Sequence, residues 1–337
     1  MSPRPRRRLN RRHFLSATGA AGMLTGLSAC GLGADNSSNG GSWSFTDDRG
    51  ETIELDGEPS NLVAFIGTAA ALYDFGVEDF AAVFGPTVND DGTPDVQAGD
   101  LPVDGLPVIG HAWGEFDVEA YAQVNPSILI SGMFTEPELW YVPAEVTDQV
   151  TDVAPTVALD YMESTMEEII ERHFELAQAL RPDADFSHVD DHKQQFDDAV
   201  KALEAANAET NLKVMACAPS NDVLYVNSPL ALPDLRFFAE HGTDIVIPDG
   251  VPEGDYNEQV SWENADLYDC DILMIDNRQF ALSPDQLIEE FPTWAQLPAV
   301  QAGQIINWDP EPRNSYAGFQ PSIEALTEGL LRSEKVI

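Results

Sequence analysis

Arg278 in "IDNRQF" and Arg313 in "NWDPEPRNSYAGF" are cations in a chain with little positive charge to place. The sequence holds 17 Lys+Arg against 58 Asp+Glu, a formal net charge of -41, and six of the basic residues fall within the first twelve positions. A guanidinium is a planar fork of donors that suits carboxylates and other oxyanions. Pro310 and Pro312 stiffen the loop that carries Arg313. That favours a ligand contact for Arg313 over an ion pair with Asp309 or Glu311. Aromatic residues gather in comparable stretches: Trp113 in "IGHAWGE", Trp140 and Tyr141 in "SGMFTEPELWY", Tyr161 in "LDYMES", and Trp308 and Tyr316 around Arg313 itself. Flat apolar faces with a few fixed donors suit a large, amphipathic, locally anionic ligand. Competing structural readings stand beside these: packing for Trp140, Tyr141 and Trp308, a backbone hydrogen bond for His111, and an ion pair with Asp276 or a nearby Glu for Arg278.

Other chemistries find little support. The chain has no G-x-S-x-G elbow, no G-x-G-x-x-G, no G-x-x-x-x-G-K-[ST] and no His-rich catalytic set, so an enzyme is not expected. Six histidines are present, and only His188 and His192 share a spacing of four on one helix; a solvated helix face is the reading for that pair. No protein-held metal or other cofactor is expected. The acidic excess removes nucleic acid as a partner, because phosphate neutralisation needs clustered basic residues. It is consistent with solubility in a saline setting. A surface adhesion or scaffold role is the reading from a third class.

The elements that must position these residues follow from periodicity. "NLVAFIG" reads as a buried strand, and Gly67-Thr68 with "AAALYDFG" as a helix capped by Thr68 and ended by Gly76. "VEAYAQVNPSILISG" is a helix and then a strand, and "VAPTVAL" is a strand before the helical "STMEEIIERHFELAQAL". One long helix without internal Gly or Pro follows. A second α/β set comes next: "KVMACAP" and "DVLYVN" as strands, "LPDLRFFAEHG" as a helix, "DIVIPD" as a strand, "SWENADLYD" as a helix, "DILMIDN" and "IINW" as strands, and a last helix "PSIEALTEGLLR". Strands alternating with helices indicate an α/β protein of two lobes with parallel sheets. In such sheets ligands lie beyond the carboxyl ends of the strands, where Arg278, Arg313 and the aromatic residues above fall. Cys217 and Cys270 fall at opposite ends of parallel neighbours, too far apart to bridge, and are expected as buried thiols.

At the N-terminus, Arg11-Arg12-His13-Phe14-Leu15 resembles a twin-arginine export signal, with Asn10 where Ser or Thr is common. Leu27-Ser28-Ala29-Cys30 resembles a bacterial lipobox. Together these imply a lipoprotein signal peptide over 1–30, cleaved before Cys30 with lipidation of its thiol, and a flexible tether over 31–42. No apolar run reaches the roughly 18 residues of a spanning helix. The expected organisation is therefore an N-terminal lobe at 43–182, an inter-lobe helix at 183–209 and a C-terminal lobe at 210–337.

From 43 to 332 the chain resembles the solute-binding proteins of ABC importers of the helical-backbone type, which carry ferric siderophores, haem or vitamin B12. The resemblance rests on "FDVEAYAQVNPSILIS", "DVAPTVAL", the spanning helix, "VSWENADLYDCDILMI" and "PTWAQLPAVQAGQIINW". It implies two α/β lobes joined by one rigid helix, ligand in the cleft between them, limited hinge motion, a monomer, and delivery to an ABC permease/ATPase complex at the outer face of the cytoplasmic membrane. It also implies that Glu119 in "FDVEAY" and Glu263 in "VSWENA" dock to permease arginines; solvated surface charge is the competing reading. With only two arginines placed for the cleft, a hydroxamate or mixed-type ferric siderophore is expected rather than a tris-catecholate. Cobalamin or haem are the alternatives, and a bare-metal-binding protein a more distant one.

Overall fold

The computed structural model describes residues 42–337 except 90, 163 and 279–281; the export motif, Cys30 and the tether up to residue 41 lie outside the described residues. Strands β1 (Trp43–Thr46) and β2 (Thr52–Leu55) form an antiparallel hairpin. The Asp47 carboxylate organises its turn, accepting from the backbone N–H groups of Arg49 and Glu51 and, from the next layer, of Ala158.

The first lobe is built on β3 (Leu62–Phe65), β4 (Phe80–Phe84), β5 (Ile128–Met133) and β6 (Thr156–Asp160), in the order β4-β3-β5-β6 and all parallel. Every residue of β3 and of β5 is buried, as expected for a parallel sheet covered on both faces. Helices α1 (Ile66–Asp74), α2 (Val118–Gln123), α3 (Thr147–Val153) and α4 (Met166–Leu180) complete the lobe. A reciprocal capping box between Thr165 and Glu168 starts α4. The cap expected from Thr68 is not formed. Helix α1 begins directly at Ile66, so Thr68 lies inside it, buried, with its hydroxyl 2.8 Å from that of Tyr161.

Helix α5 (Ser187–Thr210) carries the chain into the second lobe; residues 183–186, expected as its first turn, precede it. Its C-cap Asn211 is left-handed at φ 50°, a conformation Asn tolerates. The buried stripe Val189, Phe196, Ala199, Leu203 packs along the last helix, α9 (Tyr316–Arg332).

The second lobe holds β7 (Lys213–Pro219), β8 (Val223–Asn227), β9 (Asp244–Ile245), β10 (Asn257–Ser261), β11 (Ile272–Asp276) and β12 (Ile305–Trp308). Their order is β10-β8-β7-β11-β12, with β9 beside β7. Here the expectation of an all-parallel sheet needs correction. β7, β9, β11 and β12 are parallel, but β8 is antiparallel to β7 and β10 to β8. Only 220–222 separate β7 from β8, which is long enough for a hairpin and far too short for a parallel crossover. "SWENADLYD" likewise does not form an α-helix. It ends β10 and makes one 3-10 turn, Trp262–Asn264, whose tryptophan stacks on Phe291 with centroids 3.8 Å apart. Helices α6 (Pro233–Glu240), α7 (Pro284–Glu290) and α8 (Pro298–Gln301) fill the remaining crossovers.

Alternation along β11 separates two cores: Ile272 and Met274 face the main core with α5 and α9, whereas Leu273 and Ile275 face a smaller one around Trp294. Cys217, opposite Ile275, and Cys270, ahead of β11, are both buried and unbridged. No described helix is long and apolar enough to cross a membrane.

Candidate ligand-binding cleft

The carboxyl ends of the parallel strands β7, β11 and β12 and the segment after β5 border a cavity of about 470 Å³. The first lobe contributes an aromatic wall from the segment after β5. This segment is pinned back on its own strand, because the Trp140 N–H donates to the Gly132 carbonyl at 2.8 Å and the Ser131 hydroxyl to the Trp140 carbonyl at 2.9 Å. Trp140 packs at 4.3 Å from Phe134 and 4.5 Å from Trp113, and Tyr141 packs at 5.1 Å from Phe65 and edge-on to Trp113. Tyr141 adopts φ 63°, an uncommon conformation for a bulky residue that the surrounding rings hold in place. Trp113 caps the wall and remains 62% exposed.

The second lobe contributes a polar floor. Asp276, at the end of β11 and 2% exposed, receives the Arg278 backbone N–H at 2.9 Å and its guanidinium at 2.6 Å. Glu311, presented between Pro310 and Pro312, takes a second ion pair from Arg278. It also crosses to the first lobe, where its Oε2 accepts from Gln97 Nε2 at 3.2 Å and Trp140 Nε1 at 3.1 Å. Burial alone would lower the Arg278 pKa, but the hydrogen bond to Asp276 and the charge of Glu311 outweigh it and keep the guanidinium ionised. Burial pushes Glu311 upward against the pull of Arg278 and pushes the neighbouring Asp309 up to about 7. Tyr225, Tyr256 and Asn227 complete the opposite wall. The Nδ2 of Asn227 is buried without a partner among the described residues, an unspent donor at the cavity's edge.

Of the residues singled out by sequence, Trp113, Trp140, Tyr141, Arg278 and Trp308 are brought together around this cavity. Arg278 satisfies both of its readings at once, since it lines the cavity and pairs with Asp276. Trp308 is 3% exposed, and its indole N–H donates to Asp234 at 2.7 Å. Tyr161 lies behind the wall, buried against Phe134, with its hydroxyl between Thr68 and His173. Arg313 and Tyr316 do not reach the cavity. Arg313 extends to Asp74 at 3.0 Å and Asp100 at 3.3 Å, across the lobe boundary, and fits over Gly99, where a Cβ would lie 2.4 Å from its Cδ. Tyr316 is 4% exposed and accepts a hydrogen bond from Lys193 of α5 at 2.8 Å. The stiffened loop thus presents the residue between its two prolines, Glu311, and not the arginine after them.

Glu119, on α2, and Glu263, on the 3-10 turn, are both exposed, one on each lobe. His111 is exposed. His188 and His192 are half-buried, not a solvated face: His188 Nε2 donates to the Asp74 carbonyl at the end of α1. No group of three or more His, Cys, Asp or Glu among the described residues could hold a metal ion.

Residues 64–312 match the model of a family described as periplasmic binding protein. The chain belongs to that family. Among solved structures, this periplasmic binding protein is similar to DesE, a ferric-siderophore receptor protein from Streptomyces coelicolor, at 41% identity over 88% of this chain and 100% of that one, with a TM-score of 0.83. It shares the fold of the petrobactin-binding protein YclQ from Bacillus subtilis, at 16% identity, 86% and 99% coverage and a TM-score of 0.65. It also shares that of a periplasmic haem-binding protein from Pseudomonas aeruginosa, at 16% identity, 83% and 95% coverage and a TM-score of 0.62. No curated protein matches the chain. The two-lobe α/β architecture is the fold of this family, whose members bind substrates rather than transform them, outside the cytoplasm.

Proposed function

We propose that this protein is the lipid-anchored, extracytoplasmic substrate-binding component of an ABC importer, and that its ligand is a ferric siderophore of hydroxamate or mixed type. The observation that carries this reading is the cavity of about 470 Å³ with an aromatic wall from one lobe and a polar floor from the other. That volume lies within the range of small-molecule sites, roughly 300–1,000 Å³. Similarity to a ferric-siderophore receptor at 41% identity supports the ligand class. Charge favours the hydroxamate side: the cavity's guanidinium is already paired with two carboxylates, so the floor has no surplus positive charge for a tris-catecholate chelate. Iron arrives coordinated by its chelator, and the protein need only hold the organic shell.

Titrating the purified protein with ferric hydroxamates, ferric catecholates, haem and cobalamin, and following tryptophan fluorescence, tests the reading. Saturable quenching by a ferric hydroxamate is expected, because Trp113, Trp140 and Trp308 line the cavity. Saturation by haem or cobalamin alone would replace the ligand, and no saturable response in the folded protein would remove the chelate reading altogether.

A further inference from the structure

Among the described residues that line the cavity, Arg278 is the one cation, whereas Asp255, Asp276 and Glu311 are acidic. The two carboxylates on Arg278 differ in kind. Asp276 is part of β11, is 2% exposed, and is fixed by the strand and by the Arg278 backbone N–H. Glu311 stands on a loop, faces the cavity, and is held by donors of both lobes. Gln97 shows how far the surroundings are built around that negative charge. Its amide N–H is directed at Glu311, while its own Oε1 is buried with no partner among the described residues. A buried carbonyl left in this way is costly, so the donor to Glu311 is retained at the expense of another bond.

We propose that Glu311 determines the charge class of chelate the cleft accepts, a proposal that rests on the siderophore reading above. With Asp276 and Glu311 both on Arg278, the floor is net negative and repels a trianionic ferric tris-catecholate. A neutral ferric trihydroxamate meets no such barrier and can use the aromatic wall. Without the Glu311 charge, the Arg278–Asp276 pair is neutral and Asp255 is the remaining acidic group among the described lining residues, so the barrier against anionic chelates falls.

The test compares the full chain with its Glu311→Gln variant, measuring dissociation constants for ferrichrome, a neutral trihydroxamate, and ferric enterobactin, a trianionic tris-catecholate. The quantity read is the ratio of the two affinities, which a merely structural role would not move. The ratio is expected to shift toward the catecholate by about tenfold or more in the variant. In the wild type, raising NaCl from about 20 mM to about 500 mM is expected to narrow the discrimination against the catecholate, since salt screens the repulsion. Should the glutamine variant fail to fold, Glu311→Ala, read for the same ratio, decides the matter. A wild type that binds ferrichrome, with a ratio unmoved by the substitution or by salt, overturns the role of Glu311 alone. A fall of both affinities in proportion does the same. A wild type that prefers the catecholate overturns it too, and a folded wild type that binds neither overturns the siderophore reading and this proposal together.

Discussion

Asp234 illustrates what single side chains do behind the cleft. It is 2% exposed at the start of α6 and accepts the Trp308 indole N–H at 2.7 Å, while burial pushes its carboxyl from an ordinary 3.8 up to about 7. A carboxyl raised in the fold contributes most when protonated. Its stabilisation is full below the unfolded value near 3.8 and is lost as pH rises through about 7. Asp234→Asn keeps an acceptor for Trp308 but cannot ionise. The variant is therefore expected to gain on wild type between pH 5 and pH 8, by several degrees in thermal midpoint at pH 8, given roughly 2–4 °C per kcal/mol for a chain of this size. Parallel pH profiles for the two proteins would contradict the assignment. At this scale the sequence was legible where a residue type has few uses: an arginine after β11 flanked by Asp276 was readable as both lining and pairing. Arg313 was not, because its partners Asp74 and Asp100 lie more than 200 residues earlier in the chain.

Elements were readable wherever periodicity was long or punctuated by caps. The α4 capping box, the buried strands β3 and β5 and the uninterrupted α5 all follow from local pattern. The second-lobe sheet was less so: alternation shows that β8 and β10 are strands, but only the length of a connection shows their direction. "SWENADLYD" carries helix-like composition that β10 and the Trp262–Phe291 stack override. Between elements, Arg313 ties the final loop to the end of α1, where Asp74 is 6% exposed and also receives the Ser315 hydroxyl. Arg313→Ala strands that carboxylate, so a loss of about 2–4 kcal/mol in urea unfolding is expected, since removing one partner of a buried pair is more costly than the pair is worth. A loss below roughly 0.5 kcal/mol would place the pair with ordinary surface charges.

For the molecule as a whole, the lobes share one buried apolar cluster, in which Phe75 packs edge-on to Tyr316, and polar contacts that join them include Glu311 to Gln97 and Trp140, Arg313 to Asp74, and Arg236 of α6 to the carbonyls of Met162 and Ser164. The cleft lies among them, and exposed Glu119 and Glu263 mark the two lobes outside it. Glu119→Ala and Glu263→Ala together are expected to leave chelate affinity intact and to abolish uptake by cells; lost affinity would mean that these glutamates serve the cleft. The two-lobe plan was legible in the order of motifs, whereas the charge of the cavity was not, because it depends on which acids face Arg278. Whether a ferric chelate is held against the aromatic wall can be measured by retention of an iron-55 trihydroxamate on wild type and on Trp140→Ala. Saturable binding in the wild type, weakened about tenfold or more in the variant, is predicted. Equal affinity in the two proteins, or no retention by the folded wild type, would contradict it.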